Sequence, residues 1–304
     1  MPKIEYVSKR FSRDNLTIIE HANTIIDEYE QAGFKLTLRQ LFYQFVSRDL
    51  IKNNQQEYKR LGSIINDARL AGVIDWLSIE DRTRDLRSLS HWNSPAEILE
   101  TCTQQYHIDK WATQPNRLEV FIEKDALVGV IENVCNRYDV PYFSCRGYTS
   151  QSEMWAAAMR LQKYLDEGQT PYIIHLGDMD PSGIDMTRDI RERLKLFMGG
   201  VEVNRIALNE DQIQKYNPPP NFAKTTDSRY IQYQEKFGEE SWELDALDPT
   251  VIESLIEATI QNYWDEDLWN EAVKKEKEHR VLIKKAADNL NEKNSKKKPK
   301  NKLK

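Results

Sequence analysis

The sequence predicts an α/β protein: helices first, then a parallel sheet with helices on both faces, then a helical C-terminal extension. Two observations carry this. From Arg117 onward, short apolar runs alternate with amphipathic stretches, as a parallel sheet requires because each crossover is a helix. Two of those runs also end in acids. Leu118, Val120, Phe121 and Ile122 close on Glu123, and Tyr172, Ile173, Ile174 and Leu176 close on Asp178 and Asp180. In an open parallel sheet the strand carboxyl ends share one edge, where these three acids converge. Three carboxylates together repel, and a cation among them relieves the repulsion. A Mg²⁺ site and phosphate chemistry are therefore expected.

The elements follow in order. Residues 14–31 have helical apolar spacing, with Ser12 or Asp14 as cap and Gly33 as stop. Thr37 and Gln40 form a capping box for a helix through about Asp49, with Leu38, Leu41, Phe42, Phe45 and Val46 at helical spacing. A linker at Asn53 and Asn54 leads to a helix from about Gln56 to Ala71, stopped by Gly72. Short β-like pieces run from Val73 to Ile79, broken by Asp75 and closed at Glu80–Asp81. Helix, helix, small hairpin is the order of a winged helix. Ser94-Pro95 opens another helix. Strands are expected at 117–122, 140–145, 171–177 and 201–207, and helices at 125–138, 150–167, 182–198 and 209–215. Pro218, Pro219 and Pro220 mark a loop, and helices resume at 249–264 and 266–291. The resulting domains are a winged helix with its N-terminal helix (1–92), a helical connector (93–116), a metal-binding sheet domain (117–215), a C-terminal helical region (216–291) and a disordered Lys-rich tail (292–304).

Composition narrows the classes. No apolar run approaches the ~20 residues that span a bilayer, and the start Met-Pro-Lys-Ile-Glu has no signal-peptide core. A cytoplasmic protein with no membrane partner is expected. Cys102, Cys135 and Cys145 fit neither a paired nor a zinc-ligand spacing, which suits buried thiols in a reducing compartment. The five His form no ligand cluster. Net charge is −6, but the last twelve residues hold seven Lys and no acid, so the rest stands at −6 − 7 = −13. An acidic body with a basic tail is compatible with local phosphate binding, and equally with a solubilising end.

The stretch His-Leu-Gly-Asp-Met-Asp-Pro-Ser-Gly-Ile-Asp-Met, 175–186, carries more detail than a pair of acids. Asp178 and Asp180 alternate along an extended segment and face the same way. Pro181 starts the next helix, with Asp180 as its cap. Gly183 permits close approach of backbone. Lys124 follows Glu123 and is a candidate phosphate holder or a surface lysine. Read blandly, these are two helix-capping aspartates and an ordinary strand-end glutamate. The two motifs, Phe-Ile-Glu-Lys-Asp-Ala and Gly-Asp-Met-Asp-Pro-Ser-Gly, resemble those of a TOPRIM domain, the metal-binding fold of topoisomerases, primases and some nucleases. The resemblance implies that Glu123 and Asp178 hold Mg²⁺ directly and that Asp180 completes the site.

Tyr43 is the second candidate centre. A helical wheel sets it about 140° from the middle of the apolar stripe, with Arg39 one turn earlier on its side. A phenol with pKa ~10 is a poor nucleophile at neutral pH and needs a nearby cation. The run Arg39, Gln40, Leu41, Phe42, Tyr43 resembles the Arg-Asp-Ile-Tyr-like run of the A subunit of type IIB topoisomerases and their meiotic double-strand-break relatives, which join a winged helix to a TOPRIM domain. The similarity implies attack by Tyr43 on a DNA phosphate, a covalent 5′-phosphotyrosyl link, and a two-fold homodimer pairing the tyrosine of one protomer with the metal of the other. Gln40 stands where the family has Asp, and Ser182 where it commonly has Tyr. The match covers roughly residues 35–210, leaving the C-terminal helices and tail outside it.

Arg69, Arg82, Arg84 and Arg87 are candidate contacts to the DNA backbone or solvated partners of Glu80, Asp81 and Asp85. Glu243 and Asp245 either brace the metal site or are structural. Arg146, Tyr148 and Ser150 fall near the metal edge. No P-loop is present, so either ATP-driven strand passage needs a separate ATPase subunit or the protein cleaves or relaxes DNA without one. The expectation is an enzyme that cleaves DNA through Tyr43 with Mg²⁺. Its rivals are a hydrolytic TOPRIM nuclease and a non-catalytic DNA-binding module.

Overall fold

In the computed structural model residues 3–80 and 89–296 are described, with side chains through 290. Arg82 and Arg84, and with them Arg87, lie outside the described residues. The chain forms two compact units, one of Met1–Arg84 and Leu118–Asn262, the other of Asp85–Arg117 and Tyr263–Lys304.

The first unit begins with helices whose starts are chemically marked. α1 (Arg13–Gln31) is capped by Ser12 and buries Ile18, Ile19, Ala22, Ile25, Ile26 and Tyr29, a stripe at i, i+3, i+4 spacing. α2 (Leu38–Ser47) opens on the full capping box: the Thr37 hydroxyl accepts the Gln40 N–H and the Gln40 amide oxygen accepts the Thr37 N–H at 2.8 Å. α3 (Gln55–Leu70) starts from Asn54, whose side chain accepts the Glu57 N–H. The small hairpin expected after it is not formed among the described residues. Leu36 bridges Ile79 and Glu5 bridges Ala71 instead. Asp75 is the reason: its carboxylate accepts the Leu77 N–H at 2.7 Å and its carbonyl accepts the Ser78 hydroxyl, making a tight turn where a strand would continue.

In the second unit, α4 (Pro95–Gln105) packs along α11 (Glu266–Lys296). Tyr106 Oη meets His279 Nδ1 at 2.8 Å, and Glu276 accepts the Ile108 N–H and pairs with Lys110 at 2.9 Å.

The sheet of the first unit contains β1 (Asn116–Ile122), β2 (Tyr142–Ser144), β3 (Thr170–Leu176) and β4 (Glu202–Ala207), all parallel, in the order β2-β1-β3-β4. Its crossover helices are α5 (Val128–Arg137), α6 (Gln151–Asp166) and α7 (Pro181–Met198). Phe121, Ile173 and Val203 pack with Met154, Ala157 and Leu161 of α6 and with Ile190 and Leu194 of α7. Val120, Ile122 and Ile174 are also fully buried. Alternation along a strand puts them on the opposite face, so both faces are covered, as the continuous apolar runs predict. After α8 (Glu210–Tyr216) comes a two-stranded antiparallel pair, β5 (Asn221–Phe222) with β6 (Glu240–Ser241), enclosing α9 (Tyr230–Phe237). Two-residue strands are too short to show a period, which is why the sequence reads as loop there. α10 (Pro249–Gln261) packs against α5.

Cys135 and Cys145 are buried as expected, whereas Cys102, on the helix of the second unit, is exposed. Among the described residues no helix is long and apolar enough to cross a membrane.

Candidate functional site

Glu123 and Asp178 meet because β1 and β3 are neighbours. The Glu123 N–H extends the pairing to the Leu176 carbonyl at 2.9 Å, and Glu123 Oε2 accepts the Asp178 N–H at 2.8 Å. Asp180 caps α7, its Oδ1 accepting the Gly183 N–H at 2.6 Å and the Ser182 hydroxyl at 2.9 Å, with Pro181 at the first helical position. Gly183 is required by close approach: a Cβ there would stand 2.2 Å from the Asp178 carbonyl oxygen. Burial, then the Asp178 charge, raises the Glu123 carboxyl far above the carboxylate range. Burial also raises Asp178, against the pull of Lys124 and the Leu244 N–H.

A segment distant in sequence closes over this edge. Met179 and Trp242 exchange both backbone hydrogen bonds, at 2.8 and 2.9 Å, and the Leu244 N–H donates to Asp178 Oδ1 at 2.8 Å. Glu243 and Asp245 are thereby brought to the cations. Lys124 Nζ lies 3.0 Å from Asp178 Oδ2 and 2.9 Å from both Glu243 Oε2 and Asp245 Oδ1. Arg39 pairs with Glu243 and, at 2.9 Å through Nε, with Asp245. Burial would raise the Glu243 carboxyl, but Lys124 and Arg39 more than offset it and hold it down, at about 2. Burial would lower the Lys124 ammonium, and Asp178, Asp245 and Glu243 raise it instead. Glu243 and Asp245 thus tie Arg39 of α2 to Lys124 of the sheet edge.

Tyr43, which the wheel sets off the apolar stripe and so does not require to be core, is buried: only 4% of it is exposed. The apolar stripe is one side of α2, yet α2 is buried from Gln40 through Val46, because the turn at Leu244–Ala246 packs on its other side. Burial, then Asp245 and Glu243, pushes the Tyr43 phenol up to about 12, with Arg39 opposing weakly from 3.5 Å. A cavity of about 620 Å³ is lined by Arg39, Tyr43, Lys124, Asp178, Asp180 and Glu243 among others. Glu123 is buried and turned toward the Asp178 main chain.

Behind the edge lies a residue without any sequence signal. Arg205 Nη2 donates to the carbonyls of Gly177 (2.9 Å), Asp178 (2.6 Å) and Leu208 (3.2 Å), and Nη1 to the Gly183 carbonyl (3.0 Å) and Thr187 Oγ1 (3.1 Å). Its guanidinium holds the loop that carries both aspartates. Burial pushes it down to about 10, while Glu123, Asp178 and Asp180 pull it up. An arginine on a strand looks ordinary in sequence, and only the fold shows its fork aimed at backbone.

The remaining candidates have local partners. Arg69 stacks on Trp76, with its guanidinium 4.8 Å from the ring centroid, and donates to the Trp76 carbonyl at 2.7 Å. Arg146 pairs with Asp125 at 3.2 Å, Tyr148 donates to Asp185 at 2.5 Å, and Ser150 caps α6.

The donor chemistry of Glu123, Asp178 and Asp180 fits a hard divalent cation: oxygen ligands at one edge, two of them raised by burial. Glu123 Oε2 and Asp180 Oδ1 are nevertheless taken up by main-chain N–H groups, and, contrary to the expected convergence of the three acids, among the described residues no group of three His, Cys, Asp or Glu side chains is gathered as a metal requires. Comparison with protein-family models, curated proteins and solved structures returns no match.

Proposed function

We propose that this chain is a Mg²⁺-dependent DNA-cleaving protein similar to the A subunit of type IIB topoisomerases, with a winged-helix-like first part and a TOPRIM-like sheet. The observation that carries the reading is the shared cavity: Tyr43 and Arg39 from α2 line it together with Lys124, Asp178 and Asp180 from the sheet edge. Glu123, Asp178 and Asp180 would hold the cation, which when bound would orient the scissile phosphate and stabilise the leaving oxygen. A phosphate entering the cavity competes with Glu243 and Asp245 for Arg39 and Lys124. The Tyr43 oxygen then bonds to phosphorus, the P–O3′ bond breaks, the phenol proton passes to Asp245, whose carboxyl burial raises, and the departing 3′ oxygen takes a proton from water. The resemblance adds a homodimer and a separate ATPase subunit to the proposal.

A second reading, hydrolysis by an activated water, is favoured by one observation: Tyr43 is buried and its phenol is raised, both of which oppose phenolate formation. Plasmid DNA incubated with Mg²⁺ and quenched with detergent, with and without protease, separates the two. Protein-linked ends that vanish in Tyr43→Phe are expected. Free ends unaffected by that substitution would establish hydrolysis, and binding without cleavage under any divalent metal would leave a non-catalytic module.

A further inference from the structure

Arg39 and Lys124 reach the cavity from different elements, α2 and the residues just past β1, yet both donate to one atom. Glu243 Oε2 accepts Lys124 Nζ at 2.9 Å and also takes Arg39 Nη2. Asp245 holds the same two cations through separate oxygens, Oδ1 to Lys124 Nζ and Oδ2 to Arg39 Nε, each at 2.9 Å. The two acids are not equivalent. The Asp245 side chain is 1% exposed, whereas that of Glu243 is 26% exposed and lines the cavity. The backbone around Glu243 is fixed: Trp242 exchanges two hydrogen bonds with Met179, the Leu244 N–H donates to Asp178, and the Glu243 carbonyl accepts the Ala246 N–H at 3.0 Å. Only the Glu243 side chain is therefore free to leave. Its departure opens one donor on each cation, both aimed at one point. That point is beside the phenol, since Arg39 Nη2 also stands 3.5 Å from the Tyr43 oxygen.

We infer that Glu243 is a specificity-determining residue: its carboxylate occupies the position of a substrate phosphoryl oxygen and excludes anions that nothing else holds. The inference rests on the DNA-cleaving reading and deepens it by stating which phosphates the site admits. A phosphodiester and a carboxylate each carry one negative charge, so exchanging one for the other leaves the charge around Arg39 and Lys124 unchanged. Asp245 and Asp178 balance the two cations throughout the exchange. A group on a short flexible tether competes at an effective concentration in the millimolar range, and here the tether is a single side chain. Free phosphate or sulfate, held by these two cations alone, does not outcompete it at lower concentrations. A phosphate within a DNA strand is held by contacts to its neighbours as well, and it displaces the carboxylate. Loss of the Glu243 charge leaves neither cation unpaired, so Glu243→Gln keeps the fold.

The test is calorimetric titration of the full chain with sodium sulfate, at an ionic strength held constant with chloride. The unsubstituted protein is compared with Glu243→Gln, Glu243→Asp, Glu240→Gln and the double variant Glu243→Gln with Arg39→Gln. Glu243→Gln should bind sulfate about tenfold more tightly, the scale of one hydrogen bond to a charged group, and the double variant should lose that gain. Glu243→Asp keeps the charge on a shorter side chain and should gain in part. Glu240→Gln removes an exposed charge from the same segment without touching either cation and should gain nothing. In the plasmid assay with Mg²⁺, sulfate should inhibit Glu243→Gln at about a tenth of the concentration that inhibits the unsubstituted protein. Equal sulfate affinity in Glu243→Gln and the unsubstituted protein, or the same gain in Glu240→Gln, overturns the inference and leaves DNA cleavage standing. Should Glu243→Gln fail to fold, Glu243→Asp decides, and no gain there overturns the inference. Tighter sulfate binding by Glu243→Gln with no DNA cleavage by any of these proteins upholds the masked anion position and overturns the cleavage reading.

Discussion

His175 has no exposed surface, and its Nδ1 stands 2.9 Å from Thr187 Oγ1. Burial, then the charges of Arg205 and Arg191, pushes the imidazole down to about 3. A group depressed on folding adds stability above its unfolded value, about pH 6.5, and that stability is lost as pH falls toward the folded value. Between pH 6.5 and 5 this one residue should remove on the order of 2 kcal/mol of folding stability, at ~1.4 kcal/mol per pH unit. Urea unfolding at both pH values checks it: His175→Gln should lose less on acidification, and an identical loss would refute the assignment. Residue identity was legible in the sequence for Glu123, Asp178 and Asp180, since each closes an apolar run. It was misleading for Tyr43, because a helical wheel contains no information about the distant turn at Leu244–Ala246 that covers the other side of α2. For Arg205 it was silent, because the side chain's partners are carbonyls brought to it by the sheet.

At the scale of elements, the start of α7 joins local chemistry to packing. Asp180, Pro181 and Gly183 are cap, first-turn residue and close-approach residue, and all three are readable from sequence. What Gly183 approaches is not: the neighbour is the Asp178 carbonyl, and a methyl group there has to move either α7 or the aspartate loop. Gly183→Ala should therefore cost about 3 kcal/mol, the upper range for overpacking, read by thermal or urea unfolding. A loss below about 0.5 kcal/mol, the scale of ordinary surface substitutions, would show that the loop yields freely. The capping box at Thr37 and the strand–helix alternation after Arg117 were equally visible, because both depend on residues within a few positions of one another. The expected hairpin after α3 was not formed in the described residues, since Asp75 and Ser78 satisfy the backbone locally with a turn.

For the whole molecule, the division into two compact units matters most. The candidate carboxylates all lie in the unit with the sheet, so a cation that binds them stabilises that unit's native state and not the other's. Calorimetry should resolve two transitions. Mg²⁺ at a hundredfold excess over its dissociation constant should stabilise one of them by about 2.7 kcal/mol and leave the second in place. A shift of neither transition at any Mg²⁺ or Mn²⁺ concentration would remove the metal from the proposal. The acidic balance of the body, −13 without the last twelve residues, adds long-range attraction for a divalent ion but does not by itself define a ligand set.

The sequence alone determined the class of the sheet, the order of its strands and helices along the chain, and the edge at which Glu123, Asp178 and Asp180 emerge. Those properties follow from periodicity and capping, which act between near neighbours. Tertiary structure decided that Glu243 and Asp245 bind Arg39 and Lys124, that Tyr43 is covered, and that Arg205 supports the aspartate loop. Each of these is a contact between residues far apart in the chain, formed only when the turn at Leu244–Ala246 docks on α2 and β3 lies between β1 and β4.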